Sequence, residues 1–505
     1  MRALLLGLGL VAAVGLAQPG APTPTTLRFE VTVKDGLLPA PTDGRVFVVL
    51  GKAGSAEPRR TIGHTDSEAP PCLGADGSGF TSGKTVTLDA GSAIYPLTRL
   101  GDLTPGEYLV QAVFDWSRDL RLPNAPGNLF STPLKVTLDP SKGGVVKLEL
   151  TESEPAEKLP DDGDLTRYLK FRSDRLSTFH KREMYLRVGV LLPREFATEP
   201  RRKFPLRVHI GGFSTRYTAV QRMALPRGAP PFVLLHLDGA GPFGDPYQVN
   251  SANNGPYGDA VTEELIPYVE KQFRCIGRPQ ARVLDGASTG GWVSLGLQIF
   301  YPDFFNGAWS HCPDPVDFRA FELIDIYREP NAFTNAFRHD RPSSRTLDGD
   351  VRTTVRGEVR VERCLGRGER WELSGLDWAS WNATFGPRGA DGKPVPLWDG
   401  LTGKIDKVVA DHYRKYDLRL HLAQNWATLA PKLQGKLNVF VGEADDYFLN
   451  NAVHLLDDFL AERAEPRLDR RIVFGAGRKG HGWRGLTEKQ MLDEMAARVE
   501  KTKPR

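Results

Sequence analysis

The stretch Val283-Leu284-Asp285-Gly286-Ala287-Ser288-Thr289-Gly290-Gly291-Trp292 decides how this chain is read. Val283-Leu284 reads as an apolar strand, and Trp292 to Phe300 reads as a helix. Between them, Gly286 to Gly290 matches the nucleophile-elbow pattern Gly-x-Ser-x-Gly. The reason for the pattern is steric. A strand that turns sharply into a helix and holds one side chain above the sheet strains the backbone of that residue. The residues two before and two after it must then be small enough not to clash. Gly291 extends the rule and allows close packing of the helix. A Gly-Ser turn between two structural elements would look similar in isolation. Here the pattern occurs once, with a strand before it and a helix after it, so Ser288 is the candidate nucleophile.

Outward from the elbow, short apolar runs alternate with helical stretches. The runs are 206–210, 232–237, 283–284, 307–309, 437–441 and 472–474. Val261, Leu265, Ile266, Val269 and Phe273 recur at helical spacing. Strands that are apolar throughout and alternate with helices predict an α/β fold, a mainly parallel sheet with helices on both faces. The segment 318–433 interrupts this rhythm as a charged insertion between two core strands. It holds five of the nine tryptophans, Trp371, Trp378, Trp381, Trp398 and Trp426. Aromatics in such a cap can grip a sugar, an acyl chain or an aromatic acid, but the reading preferred for them is the insertion's own core.

A serine hydroxyl is a poor nucleophile near neutral pH and needs a base, which in turn needs an orienting carboxylate. In elbow-bearing sheets the chain order is Ser, acid, His. The acid is expected just after a late strand. Leu437 to Val441 is that strand, and Gly442-Glu443-Ala444-Asp445-Asp446 follows it. Asp445 is preferred, Asp446 comes second and Glu443 third. Only His454 and His481 lie beyond. His454 falls in a helical stretch. His481 falls in the loop 477–483 after the strand 472–474, where a general base reaching back over the sheet belongs. Two N–H donors must meet the oxyanion. Thr289 supplies one, and the turn Gly211-Gly212-Phe213 supplies the other from Phe213 or Gly212. Trp292, Trp483 and His311 are expected near the pocket. No metal or organic cofactor is implied.

The rest of the chain is organised around this unit. Residues 1–17 read as a secretory signal, with Arg2, an apolar run from Leu4 to Leu16, and a small-residue cleavage site ending at Ala17. The run is short for a membrane span. Residues 18–26 read as a linker. Residues 27–151 alternate apolar and polar at period two between Gly- and Pro-bearing turns, the pattern of an antiparallel β-sandwich. No cluster in it suggests chemistry, so it reads as an accessory or positioning module. Residues 152–165 form a second linker, and 166–500 the catalytic domain with its insertion. Export predicts a secreted or periplasmic protein in an oxidising compartment. Cys72, Cys275, Cys312 and Cys364 then allow three pairings, of which Cys312–Cys364, bracketing part of the insertion, is favoured. None has metal-ligand spacing.

Composition limits the partners. The 505 residues carry 66 Lys and Arg against 62 Asp and Glu, a net charge of only +4. That gives no electrostatic case for nucleic acid or a membrane surface. No segment after the signal is apolar enough to span a bilayer. The partner expected is a small-molecule or carbohydrate-linked ester, and the oligomeric state is left open.

Taken together, the chain resembles the serine-esterase branch of the α/β-hydrolases, which includes enterochelin esterases, feruloyl and acetylxylan esterases, S-formylglutathione hydrolases and mycolyltransferases. The residues that carry the resemblance are Gly211-Gly212-Phe213, Gly258-Asp259-Ala260 leading into Glu264 to Tyr268, the elbow at 286–291, Tyr301 to Phe305, the 442–445 loop, and Gly480-His481-Gly482-Trp483. They span about residues 166 to 490. The resemblance implies carboxylic-ester hydrolysis with Ser288, Asp445 and His481 as the triad. Acyl transfer or peptide cleavage with the same triad, or a binding protein that keeps the fold, are the alternatives. Thr289 departs from the commoner Met or Leu, and the long insertion means that the pocket does not transfer.

Overall fold

The computed structural model describes residues 25–54, 57–65, 69–462 and 465–503. The expected signal, 1–17, lies outside the described residues, as does most of the 18–26 linker.

Eight strands form the central sheet: β1 (Thr166–Arg172), β2 (Tyr185–Leu191), β3 (Leu206–Ile210), β4 (Val233–Leu237), β5 (Arg282–Ala287), β6 (Ala308–His311), β7 (Leu437–Gly442) and β8 (Arg470–Gly475). Their spatial order is β1-β2-β4-β3-β5-β6-β7-β8. From β4 onward every neighbouring pair runs parallel, while β1 and β2 are antiparallel. The middle strands are apolar for the predicted reason. Every residue of β4 and β6 is buried, because the sheet is covered on both faces. The register sets Ile210 beside Gly286, Ala287 beside His311, and His311 beside Phe440. The carboxyl ends of β3, β5, β6 and β7 therefore finish along one edge. Loops leaving that edge converge, which is where open parallel sheets build their sites.

Residues 28–153 form two packed sheets. The smaller holds three strands and the larger seven. Most pairs are antiparallel, as expected. The exception is Arg28–Val33, which runs parallel to Val145–Leu150. The last strand returns to lie beside the first, closing the small sheet. Its burial alternates along Val145–Leu150 as the sequence does. Glu152–Ser153, at the start of the expected linker, pairs with Leu129–Phe130 of the larger sheet.

Four helices matter for the site. They are α1 (Thr289–Phe300), α2 (Val355–Leu365), α3 (Asp377–Phe385) and α4 (Asn450–Glu462). α2 and α3 belong to the insertion. All five of its tryptophans are buried in the same hydrophobic cluster as the central sheet, so the insertion is continuous with the core rather than a cap with a separate one. α2 is a wedge. Val355 and Val359 face that core, while Val361, Cys364 and Leu365 pack on Phe47, Val49 and Val113 of the sandwich. No described helix is long and apolar enough to cross a membrane.

The favoured disulfide is not formed. All four cysteines are free and buried. Cys312 lies beside His481, whereas the Cys364 thiol donates to the carbonyl of Cys72 at 3.3 Å, on the other side of the insertion. The two thiols face different neighbours, and bracketing in sequence did not translate into proximity.

Candidate active site

Ser288 stands at the junction of β5 and α1 with φ 58° and ψ −123°. That region is unfavourable for any residue with a Cβ, and it persists because the surroundings leave no alternative. The flanking glycines show why. A Cβ on Gly286 would lie 2.2 Å from the Gly290 carbonyl oxygen, and one on Gly290 would lie 2.1 Å from that of Ile210. A Cβ on Gly291 would meet the His311 carbonyl oxygen at 2.6 Å. The Ser288 N–H donates to that same oxygen at 3.0 Å, which ties the elbow to β6.

Ser288 opens into a cavity of about 410 Å³, whose wall also includes Gly212, Phe213, Thr289 and His481. His481 comes from the loop after β8. Its Nδ1 lies 2.9 Å from Asp445 Oδ2, and Asp445 is fully buried. Asp445 is itself fixed, since its Oδ1 accepts the N–H of Tyr447 at 2.9 Å and of Leu449 at 3.3 Å. Asp446 does something else. Its Oδ1 accepts the His481 backbone N–H at 3.0 Å and its Oδ2 takes Arg352. Glu443 pairs with His454 at 3.0 Å, away from this cavity. Burial works against a charged imidazole, yet the bond to Asp445 and the neighbouring Cys312 hold the His481 pKa above its ordinary range.

The serine and the imidazole share the cavity without touching. Ser288 Oγ donates to Asp314 Oδ1 at 3.3 Å, while His481 Nε2 has Cys312 Sγ at 4.0 Å. No hydrogen bond joins Ser288 to His481 among the described residues. Asp314 also accepts from Thr289 Oγ1 at 3.0 Å, from Trp381 Nε1 at 3.3 Å and from the Tyr247 hydroxyl. Its pKa is raised by burial.

In the turn after β3, the Ser214 N–H goes to Asp245 and the Thr215 N–H to the Gly212 carbonyl. Gly212 and Phe213 remain as the donors available to a ligand. Gly212 stands close to the nucleophile, since a Cβ there would be 3.9 Å from Ser288 Cβ.

Three expected pocket residues lie elsewhere. Trp292 is fully buried under α1 against Tyr247 and Phe385, because its helical position faces the core. Trp483 packs with Phe440 and Met491 on another cluster. His311 stacks on Phe440, with ring centres 5.0 Å apart, and burial pushes its pKa down to about 4. It serves the elbow through its carbonyl instead. The sequence reading missed Asp314, Glu322, Glu358, Asp377, Tyr447, Leu449 and Arg484, all of which line the cavity. Asp314 carried a usable signal. It sits three residues past the end of β6, as Asp445 sits three residues past the end of β7.

Comparison with known proteins bears on this arrangement. Residues 185–387 match the family model described as "Putative esterase", a span that holds Ser288 and ends before Asp445 and His481. No curated protein matches the chain. Among solved structures, a ferulic acid esterase is 12% identical, with 66% of this chain and 99% of that one covered at a TM-score of 0.39. FphF, a fluorophosphonate-binding serine hydrolase of Staphylococcus aureus, is 14% identical, with 66% and 98% covered at 0.39. An S-formylglutathione hydrolase from Agrobacterium tumefaciens is 15% identical, with 68% and 98% covered at 0.37. Residues 185–387 thus carry a putative-esterase domain of the α/β-hydrolase class.

Proposed function

We propose that this protein hydrolyses carboxylic esters through an acyl-enzyme formed on Ser288, with His481 as general base and Asp445 as the residue that orients it. The observation that carries the reading is the pairing of a strained serine at the mouth of β5 with an imidazole held by a buried carboxylate on the same cavity. Ser288 Oγ leaves Asp314 by rotation about χ1 and gives its proton to His481 Nε2 as it attacks the ester carbonyl. Catalytic hydrogen bonds that are long in a free enzyme tighten in this way when substrate arrives. The oxyanion is met by the Thr289 N–H and by that of Phe213 or Gly212. His481 then returns the proton to the leaving alcohol. Water repeats the sequence on the acyl-enzyme and frees the acid.

The substrate class proposed is a small-molecule or carbohydrate-linked ester. The apolar leader at 1–17 supports export, so the site of action proposed is outside the cytoplasm. The test is hydrolysis of a short-to-long p-nitrophenyl ester series by the protein and by Ser288→Ala, with fluorophosphonate labelling alongside. Turnover and labelling that both vanish in the variant support the reading. Neither turnover nor labelling in the parent protein removes it.

A further inference from the structure

The wall of the cavity can be followed residue by residue away from the nucleophile. Ser288 bonds to Asp314, and Asp314 accepts from Trp381. Trp381 packs edge-on against Trp378, with centroids 5.0 Å apart, and Trp378 Nε1 donates to Glu358 at 2.8 Å. Asp377 precedes Trp378 in α3, and Glu322 follows Phe321, whose ring lies on both tryptophans. The cavity thus runs from the serine to an end formed by Glu322, Glu358 and Asp377.

These carboxylates are not equally provided for. Glu358 accepts from Thr353 Oγ1 at 2.9 Å as well as from Trp378. Glu362, behind it, caps α3 by accepting the N–H groups of Trp378 and Ala379, and it does not line the cavity. Glu322 is different. Its side chain is on the cavity wall, the residue is 6% exposed, and no donor reaches Oε2 among the described residues. Asp377 is exposed to the open space of the cavity.

Among the described residues, the only basic ones on the wall are His481 and Arg484. His481 is held by Asp445, and Arg484 Nη1 is directed at the carbonyls of His481 and Trp483 and at Cys312 Sγ. Among the described residues no basic side chain pairs with Glu322, Glu358 or Asp377. Burial raises the Glu322 pKa first, and the charges of Glu358, Asp377 and Asp314 raise it further. A buried carboxyl without a partner avoids the cost of its charge by keeping its proton, and a cation brought beside it would favour the charged form and gain a partner there. A metal ion is the wrong partner, because no three His, Cys, Asp or Glu side chains converge on a point among the described residues. An organic cation is bulkier, spreads its charge, and is also attracted by indole rings.

We propose that the end of the cavity formed by Glu322, Asp377, Trp378 and Trp381 is a subsite for a positively charged organic group, an amine or quaternary ammonium carried on the part of the substrate remote from the ester. The link to substrate rests on the ester-hydrolase reading of Ser288, whereas the affinity for the cation does not. The full-length protein carrying Ser288→Ala is titrated by calorimetry with choline and with 3,3-dimethylbutan-1-ol, which has the same shape without the charge. Choline is expected to bind at least about tenfold more tightly, and Glu322→Gln or Asp377→Asn is expected to erase most of that preference. Equal affinities, no binding of choline, or a preference unchanged in both variants would overturn the subsite. With the active enzyme, p-nitrophenyl 4-(trimethylammonio)butyrate should exceed p-nitrophenyl 5,5-dimethylhexanoate in kcat/KM by a similar factor. Turnover of both esters at equal kcat/KM counts against the subsite alone. Failure of both esters with no fluorophosphonate labelling of Ser288 counts against the hydrolase reading, and the calorimetric ratio still decides the subsite.

Discussion

Arg45, on a strand of the sandwich, donates from Nε and Nη2 to the carbonyl oxygen of Cys364 at 3.1 and 3.0 Å, across the boundary with the insertion. Cys364 lies in the last turn of α2, where carbonyls lack helical partners and the helix dipole favours a cation. Arg121 reinforces the contact by donating to the carbonyls of Leu365 and Leu373. Since α2 also carries Glu358 to the cavity wall, the sandwich braces the helix that shapes the site. No sandwich residue among those described lines the cavity, so its contribution is to position α2.

Replacing Arg45 with Met should therefore weaken more than the sandwich. The Cys364 carbonyl loses its donor, and Asp76 loses its 2.9 Å partner. A loss of about 1–3 kcal/mol is expected in denaturant unfolding, the cost of leaving the buried Cys364 carbonyl unpaired, since Asp76 is solvent-exposed and keeps the Gly368 N–H. An unchanged unfolding midpoint would show that the sandwich does not support the insertion.

The two neighbouring aspartates should separate cleanly by mutation. Asp445→Asn removes the charge that holds the imidazole, and kcat is expected to fall roughly 10⁴-fold with the wrong tautomer favoured. Asp446→Asn disturbs only the backbone N–H of His481 and Arg352, so its loss should be far smaller. The pH profile carries the sign. His481 must be neutral to act as base, and Asp445 holds its pKa above the ordinary value of about 6.5. The rising limb of kcat/KM should then lie above pH 6.5 in the parent protein and move toward lower pH in Asp445→Asn. Equal losses in the two variants would move the orienting role away from Asp445.

The elbow, the late aspartate and the loop histidine were legible because each follows from local rules. Gly286 and Gly290 announce a steric constraint within five residues, and Asp445 and His481 follow from chain order. The acidic end of the cavity was not legible in the same way. Glu322, Glu358 and Asp377 are scattered along an insertion rich in charge, and only tertiary packing separates them from solvated carboxylates. Trp292 illustrates the opposite failure. Adjacency to Gly291 suggested the pocket, but its helical phase turns it into the core. The first two strands, β1 and β2, escaped notice because one is a half-exposed edge strand without a continuous apolar run.

The thiol count tests the cysteine assignment directly. Four free cysteines, all buried, predict slow reaction with a thiol reagent in the native protein and four reactive groups after denaturation without reductant. Two reactive groups instead of four would mean a bond has formed. Cys72 and Cys364, already in contact through the thiol and carbonyl, would then be its site, and Cys312 would remain free beside His481.

The glycines around Ser288 should divide into structural and functional positions. At Gly290 an added Cβ meets the backbone carbonyls of Ile210 and Gly211 at 2.1 and 2.5 Å, with no flexible side chain to yield. Gly290→Ala should cost about 3 kcal/mol or more, as overpacking against rigid backbone does. At Gly212 the same atom meets only the Ala287 carbonyl oxygen and Ser288 Cβ, at 3.8 and 3.9 Å, which is ordinary contact. Gly212→Ala should keep its stability within about 1 kcal/mol. It nevertheless places a methyl group beside the nucleophile, where the ester carbonyl must sit. Its kcat/KM is expected to fall by about ten- to a hundredfold through misplacement of the reacting carbonyl. Thermal unfolding and ester kinetics on the two variants distinguish the roles. A Gly212→Ala protein with full activity would take the turn after β3 out of the oxyanion site, and a stable Gly290→Ala protein would contradict the steric account of the elbow.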